Sequence, residues 1–111
     1  MSQPFIRPDV RTFLQQMEAN GAKRAVDVGL AEARNMLHAS RHLFDAPTGE
    51  LAVIRDVTGG PCPMRLYDAR AERGPGPVVV FYHGGGFVLG DIDTHEPFCA
   101  EIARLLDLPV V

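Results

Sequence analysis

The stretch Val78-Val79-Val80-Phe81-Tyr82 is apolar at every position and runs directly into His83-Gly84-Gly85-Gly86-Phe87. A strand with one wet face alternates apolar and polar residues, so a run without alternation predicts a strand buried on both faces, at the centre of a sheet. Three adjacent glycines cost conformational entropy. They are tolerated where the backbone takes positive φ or another group approaches closely, and they leave N–H groups unobstructed for an anionic guest. The competing reading is a plain strand-to-helix turn, for which one glycine usually suffices.

The segments on either side place this run in an α/β order. Val10, Phe13, Leu14 and Met17 recur at helical spacing, predicting a helix over Pro8 to Gly21 with Asn20-Gly21 as its stop. A second helix is predicted from Asp27 to Phe44, with Leu30, Ala33, Leu37 and Phe44 on one face and Ala46-Pro47-Thr48-Gly49 closing it. From Leu51 to Val57 the chain turns β-branched, and Met64 to Asp68 alternates, so an antiparallel strand pair is expected. After the linker Glu72 to Pro77 comes the apolar run, which we expect in a mostly parallel sheet beside Met64 to Asp68. Thr94 is expected to cap a further helix that packs through Phe98, Ile102 and Leu105, with Pro97 in its first turn. Leu108-Pro109-Val110-Val111 begins another strand. The sequence shows no internal repeat.

Composition narrows the function. The chain has 111 residues, enough for one small domain or part of a larger one. Eleven Lys and Arg against 14 Asp and Glu give a net charge of -3, which provides no basic footprint for phosphate backbones and argues against nucleic acid. The longest strictly apolar run falls far short of the roughly 20 residues of a membrane helix. The N-terminus lacks the apolar core of a secretory signal, so a cytoplasmic location is expected. Cys62 and Cys99 match neither a disulfide framework nor a zinc spacing and read as two reduced thiols.

Nucleotide binding fails on the letters of the glycine loop. A dinucleotide fingerprint needs glycine at i, i+2 and i+5, but counting from Gly84 ends on Leu89, and counting from Gly85 puts Phe87 in the middle. Gly85 and Gly90 have phosphate-loop spacing, yet Asp91-Ile92 stands where Lys and Ser or Thr are required. An oxyanion hole remains, in which preorganised amides stabilise charge developing on a carbonyl oxygen. The segment His83-Gly84-Gly85-Gly86-Phe87, with Gly90-Asp91 and Asp93-Thr94-His95 after it, resembles the HGGG signature of the hormone-sensitive-lipase-like esterases and lipases of the α/β-hydrolase fold. The likeness is strong from Val78 to Val111 and looser from Pro4 to Pro77. It corresponds to the family's N-terminal third.

That resemblance implies Gly85 and Gly86 as oxyanion-hole donors, with His83, Gly84 and Phe87 completing the motif loop and His83 orienting it. No metal or cofactor is implied. His95 reads as structural. His38 and His42 lie one turn apart on the second predicted helix without a carboxylate motif and read as a solvated face. The family's nucleophile sits in a G-x-S-x-G elbow, but the only serines are Ser2 and Ser40, and neither is in one. The triad Ser, Asp or Glu, and His is therefore expected beyond Val111, and the chain is expected to be truncated in mid-fold. The family parallel divides it into cap helices over 1–48 and the start of the hydrolase core over 49–111. Ordinary core packing is the alternative use for the two helices.

Two functions follow. The first is the N-terminal portion of a serine carboxylesterase acting on short-chain acyl esters, whose partners are its ester substrate and the remainder of its own hydrolase domain, with a homodimer left open. The second is a non-catalytic truncated fragment that serves as a binding or assembly module. By itself the chain is expected to be inactive.

Overall fold

A computed structural model describes residues 4–111. Its element order is α1 (Pro8–Ala19), a 3₁₀ turn (Ala25–Asp27), α2 (Leu30–Phe44), β1 (Val53–Val57), β2 (Met64–Asp68) and α3 (Ile92–Leu106). The second helix is shorter than its apolar pattern suggested, because Gly29 is in extended conformation at its N-cap and Asp27 closes the separate 3₁₀ turn.

β1 and β2 form the expected antiparallel pair, in register from Val53 opposite Asp68 to Val57 opposite Met64. The next neighbour of β2 is not the apolar run. Val110 bridges Tyr67 in antiparallel sense and Val79 in parallel sense, so the last residues lie between β2 and segment 79–81. Tyr67 and Val110 exchange N–H···O bonds of 2.8 and 2.9 Å. On the far side, Val79 N–H donates to the Pro109 carbonyl, Val111 N–H to that of Val79, and Phe81 N–H to that of Val111, at 2.8–2.9 Å. This slanted ladder is that of a parallel pair. The expectation that β2 and the apolar run are adjacent is thus corrected, while the parallel pairing of the run holds.

Within this chain, one face of the run is packed and the other is open. Val79 and Phe81 pack against the core, but Val78, Val80 and Tyr82 on the other face are 50%, 55% and 84% exposed. Period-2 alternation of side-chain direction explains the split: α3 covers one face of the segment, and nothing in the described residues covers the other.

The core joins sheet and helix. Tyr67, Cys99, Ala100, Ala103 and Val110 are buried together, with Leu51, Val79, Phe81 and Ile102 packed around them. Sequence pattern placed Phe98, Ile102 and Leu105 on the contact face of α3, but Leu105 and Phe98 are largely exposed, and the fully buried positions are Ala100 and Ala103. Small side chains let the helix axis approach the sheet closely, and the larger residues flank the contact. Phe98 retains one aromatic partner, its ring centroid 5.2 Å from that of Phe81.

Ion pairs fasten the connections. Arg73 grips the buried Asp68 carboxylate through Nε and Nη2 at 2.6–3.1 Å, while Arg70 N–H adds a bond of 2.9 Å. Arg73 Nη1 also donates to the carbonyl of Asp107, the left-handed residue that ends α3. The N-terminal helices are less deeply held. α1 has no buried residue, and its contact with α2 includes an edge-on ring pair between Phe13 and Phe44.

Candidate functional site

The glycine loop begins where segment 79–81 ends and leads into α3. Gly85, Gly86, Phe87 and Gly90 all have positive φ, at 133°, 63°, 62° and 88°. Two of the glycines are required on steric grounds. A Cβ on Gly85 would sit 1.7 Å from the Leu89 carbonyl oxygen, and one on Gly90 would sit 2.7 Å from that of Gly84. Gly85 and Gly90 therefore let the loop fold back on itself. The Gly85 carbonyl accepts from the N–H groups of Val88 and Leu89 at 3.1 and 2.9 Å, closing a tight turn.

This turn leaves the motif's own donors free. Among the described residues, no hydrogen bond uses the N–H of Gly84, Gly85 or Gly86, and all three residues are exposed. Phe87, with its left-handed backbone, projects its ring fully into solvent.

His83 folds back on the loop, its Nδ1 donating to the Gly84 carbonyl at 2.8 Å. A carbonyl can only accept, so Nδ1 carries a proton in this geometry. The His83 ring stacks on His95 at a centroid distance of 5.3 Å, and His95 lies 5.9 Å from Phe81. His95 is thus a packing residue beneath the loop, in keeping with a structural part.

The loop ends at a helix cap one turn earlier than Thr94. Asp91 is the N-cap: its carboxylate accepts from Thr94 N–H at 2.9 Å, and Asp91 N–H donates to Thr94 Oγ at 2.8 Å. This reciprocal capping box satisfies two donors that the helix start would otherwise orphan. Thr94 consequently occupies the third helical position, and Pro97 falls in the second turn.

His38 is not part of a merely solvated face. Its Nε2 lies 2.7 Å from Asp91 Oδ2, and one turn earlier on α2 Arg34 Nε donates to the Val88 carbonyl at 3.0 Å. Burial pushes the Asp91 carboxyl up, but Thr94 N–H and His38 outweigh it and hold the group below the usual carboxylate range. Arg34, Leu37, His38, Gly90 and Asp91 line an open cleft of about 340 Å³ between α2 and the loop. Nothing in the local spacing of Arg34 or His38 signals these contacts, because their partners lie 54 and 53 residues away.

Elsewhere, Arg65 is shared by Asp56, Asp93 and Glu96 at 2.6–2.8 Å, tying β1, β2 and α3 together. Among the described residues, no group of three or more His, Cys, Asp or Glu is placed to hold a metal ion, and no helix is long and apolar enough to cross a membrane. Both cysteines are free, Cys62 exposed and Cys99 buried.

Comparison with known proteins bears on the fold. Residues 79–111 match a family model described as α/β hydrolase fold. The chain is 54% identical over 103 residues to the carboxylesterase NlhH of Mycobacterium tuberculosis, covering 87% of this chain and 32% of that protein. Its fold is that of the α/β-hydrolase esterases. Esterase LipI of the same organism is 35% identical over 105 residues, covering 89% of this chain and 32% of that protein. Among solved structures, an ester-hydrolase from the metagenome of Lake Arreo, complexed with a bipyridine phosphonate derivative, superposes with a TM-score of 0.77. It is 28% identical, and the match covers 96% of this chain and 36% of that one. The chain spans about a third of the length of the curated relatives it matches. The loop over 83–87 lies inside the matched family segment.

Proposed function

We propose that this chain forms the oxyanion-hole part of a serine carboxylesterase acting on short-chain acyl esters, with Gly85 and Gly86 as donors. The observation that carries the reading is the pair of exposed, unused N–H groups at Gly85 and Gly86, at the end of a parallel strand segment. When a serine Oγ adds to an ester carbonyl, negative charge moves onto the carbonyl oxygen. Donors already aimed at that position stabilise it without reorganisation, each contributing about 10²- to 10³-fold in rate. His83 orients the loop through the Gly84 carbonyl, and Gly84 and Phe87 complete its shape. The chain's relatives, a carboxylesterase and an esterase, support an ester substrate.

In this reading residues 1–48 form a cap and 49–111 the start of the core. The exposed Val10, Phe13, Leu14 and Met17 of α1 favour a cap that lines an acyl site over helices buried in a core. The face made by Val78, Val80 and Tyr82 takes the remainder of the hydrolase domain, and the triad lies in that remainder. The chain alone is therefore inactive.

The test is co-expression with the C-terminal segment of a relative such as NlhH, which would carry the elbow serine, assayed on a short-chain nitrophenyl ester. Replacing the Gly86 amide by an ester linkage through semisynthesis deletes one donor and keeps φ accessible. The expected result is a 10²- to 10³-fold loss in kcat with KM little changed. Activity from the 111-residue chain alone, or an unchanged kcat after the replacement, would overturn the reading.

A further inference from the structure

We infer that Arg34 and His38 of α2 are positioning residues that clamp the exit of the glycine loop and so keep the Gly85 and Gly86 N–H groups aimed at one point. The inference rests on the oxyanion reading and adds to it the part of the N-terminal region that holds the hole in shape.

Arg34 and His38 are four residues apart on α2 and therefore share a face. Their partners, the Val88 carbonyl and the Asp91 carboxylate, are three residues apart at the loop's exit. The two bonds, of 3.0 and 2.7 Å, fix that exit at two points, which determines direction as well as position. From Gly85 to Leu89 the other backbone bonds are internal, the Gly85 carbonyl accepting from Val88 and Leu89. The Asp91 cap and the His83 ring hold the two ends of this turn, and Arg34 and His38 add the bonds that fix it against α2. The cleft between α2 and the loop means that polar side chains reaching across an open space make the connection, so packing cannot replace a lost bond. Asp91 serves twice, since one carboxylate oxygen caps α3 and the other meets His38. The clamp thereby refers the loop to the N-terminus of α3 as well as to α2.

Because Arg34 is exposed and His38 only half-buried, substitution at either leaves the core of Tyr67, Ala100, Ala103 and Val110 untouched. The test uses Arg34→Met, His38→Gln and Arg34→Lys in the isotope-labelled chain assembled with the nucleophile-bearing segment. In the first two variants the backbone order parameters of Gly85 to Gly90 should fall from about 0.85 to below about 0.6, with Tyr67 and Val110 unchanged as the control for folding. kcat on the nitrophenyl ester should fall about tenfold with KM within twofold, and Arg34→Lys, which keeps a donor, should recover most of it. Unaltered order parameters in both variants, or a mobile loop with undiminished kcat, would overturn the clamp. The Gly86 amide-to-ester replacement separates the two ideas: a kcat insensitive to that replacement sinks the oxyanion reading itself, whereas a sensitive kcat with no response to Arg34→Met and His38→Gln sinks only the clamp.

Discussion

The Leu89 carbonyl oxygen occupies the space that a Cβ on Gly85 would need, 1.7 Å from where that carbon would sit. The adjacent glycines are under different constraints: Gly86 has φ of 63° with open space around its Cβ direction, and Gly84 has neither positive φ nor a neighbour within 4 Å. The three are therefore graded. Gly85→Ala should cost about 1–3 kcal/mol through strain in the loop, Gly86→Ala about 1–2 kcal/mol through φ alone, and Gly84→Ala within about 0.5 kcal/mol of nothing. Urea midpoints of the three variants check the order, and equal values would contradict it.

Asp68 supplies a pH dependence whose sign can be worked out. The Arg73 guanidinium holds its carboxyl below the ordinary value, with Arg70 N–H assisting and burial opposing. A carboxylate with a depressed folded pKa contributes stability that is fully present above the unfolded value of about 3.9 and is lost as pH falls through the folded value. Arg73→Gln should raise the Asp68 pKa and lower stability at neutral pH. The deficit relative to the parent should shrink as pH falls below about 4. A carboxyl-carbon NMR titration reads the first effect and denaturation at several pH values the second. A deficit that persists undiminished at pH 2 would count against the pairing.

Tyr67 is 3% exposed, and among the described residues its hydroxyl makes no well-formed hydrogen bond, with the Arg65 guanidinium its nearest charged donor. Burial, with the nearby Glu96 charge adding to it and Arg65 opposing, pushes the phenol up to about 12. An unpaired buried hydroxyl has lost its water without compensation, so removing it relieves a penalty of about 1–3 kcal/mol while keeping the ring in the core. Tyr67→Phe should leave the melting temperature unchanged or raise it. A loss above about 1 kcal/mol would mean that the hydroxyl is bonded in solution.

The two thiols should behave differently. Cys62 is exposed, whereas Cys99 is buried in the sheet–helix core and burial raises its pKa, with Glu96 contributing. Thiolate is the reactive species, so a disulfide reagent should modify one thiol rapidly and the second only as the core opens. Peptide mapping should place the fast label on Cys62. Equal rates would refute burial of Cys99.

Ala103 has no exposed surface where α3 meets the sheet. Ala103→Leu inserts three carbons into a contact without room and should cost about 1–3 kcal/mol. By contrast, Leu105→Ala, at a residue 74% exposed, should change stability by no more than about 0.5 kcal/mol. The paired thermal melts give the answer, and the reverse order would restore the pattern-based face of α3.

Local pattern revealed what local physics determines. Alternation from Met64 to Asp68 reproduces β2 in the structure, and the glycine run and following helix appear where the letters placed them. The helix start was missed by three residues because Asp91 and Thr94 are both good caps, and only their reciprocal bonding shows which one leads. The face of α3 was misread because hydrophobicity ranks Phe98 and Leu105 above alanine, while close approach to a sheet selects small side chains. Strand order was not legible, because nothing near Met64 or Val78 records that Val110 lies between them. The contacts of Arg34 and His38 were hidden for the same reason.

The placement of Val110 between Tyr67 and Val79 has a consequence for synthesis. On a ribosome, β2 and the apolar segment emerge first, each with backbone groups facing a gap that neither can close. Residues 109–111 follow the segment after an interval on the order of a few seconds at about 5–20 residues per second. During that interval Val78, Val80 and Tyr82 stand beside unpaired backbone, a combination that invites pairing with a neighbouring nascent chain. Slow translation between Val79 and Val110 would lengthen this exposure, so codon choice over that interval bears on the yield of soluble protein while leaving the folded structure unchanged.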